Sequence, residues 1–241
     1  MKTAKKIIIG ILILLLTLVI AFWIYTLDYY RADPSAIEMA STGSGIDISH
    51  SDGALVFDPG HADTALVFYP GGKVEFTAYQ PLMTQLAKQG ILCILPEMPF
   101  NLAVFDIHAA DAFVAQNPAI THWYVGGHSL GGSMAASYAA SNTSQIEGLV
   151  LLASYTTTDL SSSGLRVLSI YGDQDGVLNL DSYQKYRSNL PAELYERVLA
   201  GGNHAGFGNY GTQKGDGEAT LTPLQQQEKT AQAIANFCGI G

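Results

Sequence analysis

Cations are scarce in this chain: 12 lysines and arginines stand against 21 aspartates and glutamates, a formal charge of −9 over 241 residues. A nucleic-acid surface needs clustered cations to neutralise phosphates. No such cluster follows the first six residues, so nucleic acid is excluded as a partner. Cysteine is almost missing too. Cys93 lies in the apolar run Ile91 to Leu95 and Cys238 on a terminal helix, so both read as small core residues. A disulfide between them would need a proximity that sequence does not set. No Cys/His spacing resembles a zinc site. Asp173, Asp175 and Asp181 lack the regular oxygen spacing of a calcium loop. Gly72-Lys73 is followed by Val74 rather than Ser or Thr, which excludes a phosphate loop. Gly206-x-Gly208-x-x-Gly211 matches a dinucleotide fingerprint, but a polar glycine-rich tail follows it instead of an apolar helix. No metal or organic cofactor is implied.

What the chain does have begins at its N-terminus. Lys2, Lys5 and Lys6 precede an uncharged stretch from Ile7 to Leu27, about the length a helix needs to cross a hydrocarbon core. Trp23 and Tyr25 suit a membrane interface, and the charges that follow, Asp28, Asp33 and Glu38, are mostly acidic. Lysines before the span and acids after it predict a cytoplasmic N-terminus (1–6), a single-pass signal anchor (7–27) and an extracytoplasmic remainder. The bulky end Phe22-Trp23-Ile24-Tyr25 lacks the small-x-small pattern of a cleaved signal peptide. Residues 28–45 are read as a linker, small and polar from about Ala32 to Ser44, that holds a domain of residues 46–241 off the bilayer.

Within 46–241 the pattern alternates. A hairpin at 46–57 turns at Ser51-Asp52-Gly53. Short apolar runs follow at 65–69, 91–95, 123–125, 148–153, 165–171 and 194–199. Between them lie helical spacings: Phe76, Tyr79, Leu82 and Leu86; Leu102, Phe105, Ala109 and Phe113; Leu180, Tyr183 and Leu190. Thr222-Pro223 opens the last helix with a capping residue and a proline at its first position. Buried strands alternating with helices predict an α/β fold with a mostly parallel central sheet covered on both faces. Functional residues should then collect at the carboxyl ends of the strands.

The chain is organised around Tyr124-Val125-Gly126-Gly127-His128-Ser129-Leu130-Gly131-Gly132. A strand runs into Gly127-x-Ser129-x-Gly131 and a small-residue helix follows. A turn this tight strains the serine backbone and leaves no room for a Cβ at either flanking glycine. It presents Ser129 at a sheet edge beside a helix N-terminus, as a nucleophile requires. A hydroxyl needs a base, and the base needs an orienting carboxylate. His204 follows the last strand in Gly201-Gly202-Asn203-His204-Ala205-Gly206 and is the candidate base. His128 adjoins Ser129 and reads as packing beside the turn. Gly172-Asp173-Gln174-Asp175 ends the penultimate strand, and two acids compete there. Asp175 lies further into the loop, able to reach the histidine, while Asp173 is better placed to bond backbone. The oxyanion donors are expected from Leu130 N–H and from Gly72 or Lys73 in Tyr69-Pro70-Gly71-Gly72-Lys73-Val74. The stretch Glu97 to Phe105 and the tail Gly206 to Gly217 are expected to shape the pocket.

Through Tyr69 to Val74, Gly127 to Gly131, Gly172 to Asp175 and Gly202 to Ala205, the chain resembles the alpha/beta hydrolase superfamily over roughly Ile46 to Phe237. It is most similar to its small lidless members, the dienelactone-hydrolase-like serine esterases. The resemblance implies an alpha/beta hydrolase fold with nucleophile, acid and base at Ser129, Asp175 and His204. Pro70 departs from the histidine that many relatives carry before the oxyanion glycine. Dienelactone hydrolases proper use a cysteine nucleophile, so their substrate does not carry over. The expected function is a membrane-anchored serine hydrolase of carboxylesterase type, cleaving a small-molecule acyl ester or thioester through an acyl-enzyme. Peptidase or acyltransferase chemistry on the same fold, or a tethered binding protein that no longer catalyses, are the alternatives.

Overall fold

The structure, a computed structural model, describes residues 2–41 and 45–240. Helix α1 (Lys2–Leu27) is followed by a short α2 (Pro34–Ser41) and the hairpin β1 (Asp47–Ser51) and β2 (Ala54–Asp58). Then come β3 (Thr64–Tyr69), α3 (Gln80–Ala87), β4 (Leu92–Pro96), α4 (Asp111–Gln116), β5 (His122–His128) and α5 (Leu130–Ser141). The chain ends through β6 (Gly148–Leu152), β7 (Arg166–Gly172), α6 (Leu180–Tyr186), β8 (Leu194–Leu199) and α7 (Pro223–Phe237).

One eight-stranded sheet runs in the order β1-β2-β4-β3-β5-β6-β7-β8. The hairpin joins antiparallel at one edge, and every pair from β4 to β8 is parallel. Each inner strand divides its side chains between two apolar layers, because successive residues point to opposite faces. Leu66 and Phe68 of β3 join Leu82, Leu86, Ile234 and Phe237 of α3 and α7. Ala65, Val67 and Tyr69 join Phe113 of α4 and Ala135, Ala136 and Ala139 of α5. The alanine-rich face of α5 lets that helix lie close against β5, which fixes the turn between them. Thr222 caps α7 in a capping box with Gln225, a device that contributes roughly 1 kcal/mol. Cys93 and Cys238 are free thiols, the first buried.

Two expectations fail, each for a local reason. The spacing of Leu102, Phe105, Ala109 and Phe113 does not form one helix. Phe100 and Asn101 take left-handed φ values of 57° and 55°, so 3-10 turns at Pro99–Asn101 and Ala103–Phe105 precede a short α4. Nor is the stretch after α1 a loose linker. Tyr30 forms a parallel bridge with Val74: its N–H donates to Lys73 O at 2.8 Å and its carbonyl accepts from Glu75 N–H at 2.9 Å. Ala32 N–H donates to Glu75 Oε2 and Asp33 N–H to Asn209 O, and α2 packs on α3 with Ala36 fully buried. Residues 42–44 of the expected linker lie outside the described residues.

Helix α1 stands apart from these layers. Within Ala4 to Leu27 an 18-residue window has a mean hydropathy of 3.2 with none of that window buried in the fold, while Thr26 near its end is buried. At about 1.5 Å per residue such a helix spans about 36 Å, long and apolar enough to cross a membrane. Its last turns touch the body of the protein through Phe22, Trp23 and Tyr25, and Thr26 is buried there.

Candidate active site

Ser129 sits between the end of β5 and the start of α5 with φ 52° and ψ −121°, a left-handed backbone rare outside glycine. The flanking glycines are required by space. A Cβ on Gly127 would lie 2.6 Å from Tyr69 O, and one on Gly131 would overlap the carbonyls of Tyr69 and Pro70. Ser129 N–H donates to Leu152 O at 2.9 Å, and Ser154 Oγ donates to Ser129 O at 2.7 Å, so the strained residue is held from β6.

Asp175 and His204 come together from the loops after β7 and β8. His204 Nδ1 lies 3.0 Å from Asp175 Oδ2, with both side chains almost wholly buried. The other carboxylate oxygen accepts the N–H groups of Val177 and Leu178 at 2.9 and 2.8 Å. An ionised carboxylate only accepts, so His204 carries its proton on Nδ1 and offers a lone pair at Nε2. That Nε2 is buried and has no partner, and His204 lines the same pocket as Ser129, although no hydrogen bond joins Nε2 to Ser129 Oγ in this structure. Of the two competing acids, Asp173 faces another way: its Oδ1 accepts Gly201 N–H at 2.7 Å and ties the two loops to each other.

The pocket beside Ser129, of about 340 Å³, is lined by Leu130, Ser133, Ala153, Ser154, Tyr155, Thr157, Val177, Leu178, Asn179 and His204. Neither Glu97 to Phe105 nor Gly206 to Gly217 lines it, contrary to expectation. Both stretches act one step back. Asp216 accepts the N–H groups of His204 and Gly176 on Oδ1 and that of Ala205 on Oδ2, and so fixes the His204 loop and the Asp175 loop together. Asn101 O accepts Lys73 N–H at 2.8 Å.

That last bond separates the two expected oxyanion donors, because the Lys73 N–H is already committed. Among the described residues Gly72 N–H has no such acceptor. Gly72 also lies against the start of α5: a Cβ there would meet Leu130 Cδ2 at 2.8 Å. Gly72 thus packs on the Leu130 side chain, and the Leu130 N–H, in the first turn of α5, follows Ser129 directly in the chain.

Three supports were missed by sequence reasoning. Gln226, fully buried on α7, grips the residue before His204, accepting from Asn203 N–H and donating to Asn203 O. The Tyr79 hydroxyl accepts Gly71 N–H at 3.0 Å and shares a hydrogen bond of 2.8 Å with His128 Nδ1. His128 is buried with its ring centroid 4.5 Å from that of His204, and burial, then the neighbouring His204, hold its pKa well below the usual histidine value. The sequence shows Tyr79 only as a core position at helical spacing. Asp216 stands between Gly215 and Gly217, a weak sign of a loop acid with backbone partners.

A sequence model of the alpha/beta hydrolase family matches residues 65–228. No curated protein matches the sequence significantly. Among solved structures, the carboxylesterase CesB from Bacillus subtilis is 12% identical with a TM-score of 0.59, covering 85% of this chain and 95% of its own. Est1E from Butyrivibrio proteoclasticus is 13% identical with a TM-score of 0.55, over 80% of this chain and 96% of its own. TT1662 from Thermus thermophilus is 14% identical with a TM-score of 0.58, over 80% and 98%. At such identities the likeness is one of fold.

Proposed function

The chain belongs to the alpha/beta hydrolase family, and on that premise we propose that it is a serine hydrolase of carboxylesterase type. Ser129 Oγ attacks the acyl carbonyl while His204 Nε2 takes its proton. Asp175 holds the imidazole by its Nδ1–H and stabilises the charge that forms on it. The tetrahedral oxygen receives the N–H groups of Leu130 and Gly72, a contribution of roughly 3 to 4 kcal/mol per donor. His204 then returns the proton to the departing alcohol or thiol. Water enters by the reverse of the same steps and releases the acid.

One observation carries this reading: an imidazole oriented by a buried carboxylate, its other nitrogen unpartnered, lines one pocket with a serine in a strained strand-to-helix turn. The carboxylesterase CesB among the fold neighbours agrees with it. Helix α1 is read as a membrane anchor, with Lys5 and Lys6 on the cytoplasmic side and the catalytic body outside. The test is turnover of a short-chain aryl ester by the wild type and by Ser129→Ala. The variant is expected to lose about 10⁴- to 10⁶-fold in kcat. Undiminished turnover would remove Ser129 from the chemistry.

A further inference from the structure

Outside α1, three of the large apolar side chains most open to solvent fall in one short loop: Phe100 at 42%, Val104 at 48% and Phe105 at 51% exposure. Single exposed apolar residues are ordinary, but a contiguous group marks a surface that meets something apolar. This group continues the end of α1. The rings of Phe100 and Phe105 lie 5.5 Å apart, Phe22 packs edge-on to both at 5.2 and 5.7 Å, and Trp23 lies 6.1 Å from Phe100. Aromatic rings at the last turns of a span sit at the headgroup level of a bilayer. Rings in direct contact with them share that level.

The loop is also bonded to the segment beside the site, without lining the pocket. Phe100 and Asn101 hold consecutive left-handed conformations, a strain for a residue as bulky as phenylalanine. In this geometry the Phe100 ring faces outward while Asn101 O accepts the Lys73 N–H. Lys73 in turn extends its side chain back to the span: Nζ pairs with Asp28 at 2.9 Å and lies over the Tyr25 ring at 4.4 Å. Gly72, the proposed oxyanion donor, is one residue away.

We propose that Phe100, Val104 and Phe105, together with Phe22 and Trp23, form an apolar wedge that enters the headgroup region of the membrane α1 crosses. The oxyanion side of the Ser129 pocket then faces the bilayer, and the substrate is a membrane-resident acyl ester. This rests on reading Ser129 as nucleophile and α1 as a span. The reaction is ester hydrolysis: the acyl C–O bond breaks, the acyl group passes to Ser129 Oγ and then to water, and the alcohol leaves with the proton from His204. A pocket of about 340 Å³ takes only the reacting end of such an amphiphile, the remainder staying in the leaflet.

The test uses the full chain in phosphatidylcholine vesicles, comparing wild type with Phe100→Asn combined with Phe105→Ser. Asparagine tolerates the left-handed backbone, and both positions are exposed, so the fold is kept. Two substrates are assayed in the same vesicles, a long-chain diacylglycerol in the bilayer and a water-soluble short-chain aryl ester. The wedge predicts a fall of about tenfold or more on diacylglycerol with the soluble ester unchanged. Equal losses on both, no loss on either, or a wild type active on the soluble ester and inert on diacylglycerol would overturn it. So would dissociation of a dimer by the variant, which would make the patch a protein interface. As an independent readout, Phe105→Trp in a Trp23→Phe background should be quenched by brominated lipid, while buried Trp123 alone is not. The parent readings fail differently: Ser129→Ala active on the soluble ester, or wild type released from vesicles by alkaline carbonate.

Discussion

The two sides of Ser129 are built differently. On one side, Asp175 and His204 belong to loops that follow neighbouring parallel strands, and the bonds that hold them stay within the catalytic body: Asp173 to Gly201, Asp216 to His204 and Ala205, Gln226 to Asn203. On the other, the loop with Gly72 and Lys73 takes bonds from Asn101, Tyr79 and the segment just beyond α1, where Tyr30 and Asp28 reach Lys73. The Asp175–His204 side is self-contained in its direct bonds, the N-terminal segment reaching it one step back through Asp33 N–H to Asn209 O and Lys214 N–H to the Tyr30 hydroxyl. The Gly72–Lys73 side is bonded to that segment directly and so is shared with it. Damage to the two should therefore differ in kind.

The largest contrast lies within the self-contained side. Asp175→Asn should lower kcat by about 10⁴-fold, because the amide favours the wrong tautomer of His204. Asp173→Asn keeps an oxygen for Gly201 N–H and should stay within about tenfold of wild type, since its carboxylate lies off the relay. Equal losses in ester turnover would exchange the two roles. On the shared side, Gly72→Ala places a methyl against Leu130 and should cost about 10²- to 10³-fold in kcat, with less change in KM. An unaffected variant would move the second donor elsewhere.

Removing residues 1–44 sharpens the comparison further. It deletes the Tyr30 bridge and the Asp28 pair while leaving every bond of Asp175 and His204 in place. Turnover of a soluble ester should fall by about 10- to 100-fold through misplacement of the oxyanion loop. A chain beginning at Asp28 should recover most of it. The smallest effect concerns His128. Its folded pKa is depressed by burial, so below about pH 6.5 the unfolded chain binds a proton there that the folded one does not. Its share of stability is complete above that pH and is lost as pH falls. His128→Gln should flatten the acid limb of Tm against pH, and an unchanged slope would contradict the assignment.

Most of the self-contained side was legible in the sequence, and for a physical reason. Gly127-x-Ser129-x-Gly131 is forced by the collisions a Cβ would make, and loops after consecutive parallel strands open on one sheet edge, which brought Asp175 and His204 into reach of each other. Two acids two residues apart were separable only once the backbone donors of Val177, Leu178 and Gly201 were located. The shared side was harder to read. The small, polar stretch after α1 has a linker's composition, yet it docks mainly by backbone bonds, which composition does not encode. The spacing from Leu102 to Phe113 imitates a helix because Leu102 and Phe113 are buried on separate short turns while Phe105 turns outward.

The most direct test is the site of covalent modification by a fluorophosphonate. Three serine hydroxyls line the pocket; Ser133 Oγ donates to Tyr155 O and Ser154 Oγ to Ser129 O, which leaves Ser129 as the one proposed to react. Mass spectrometry of the labelled wild type should place one adduct on Ser129, and His204→Ala should slow its formation by several orders of magnitude, on the order of 10³-fold or more. An adduct on Ser133 or Ser154, or labelling of Ser129 at an unchanged rate without His204, would contradict the account.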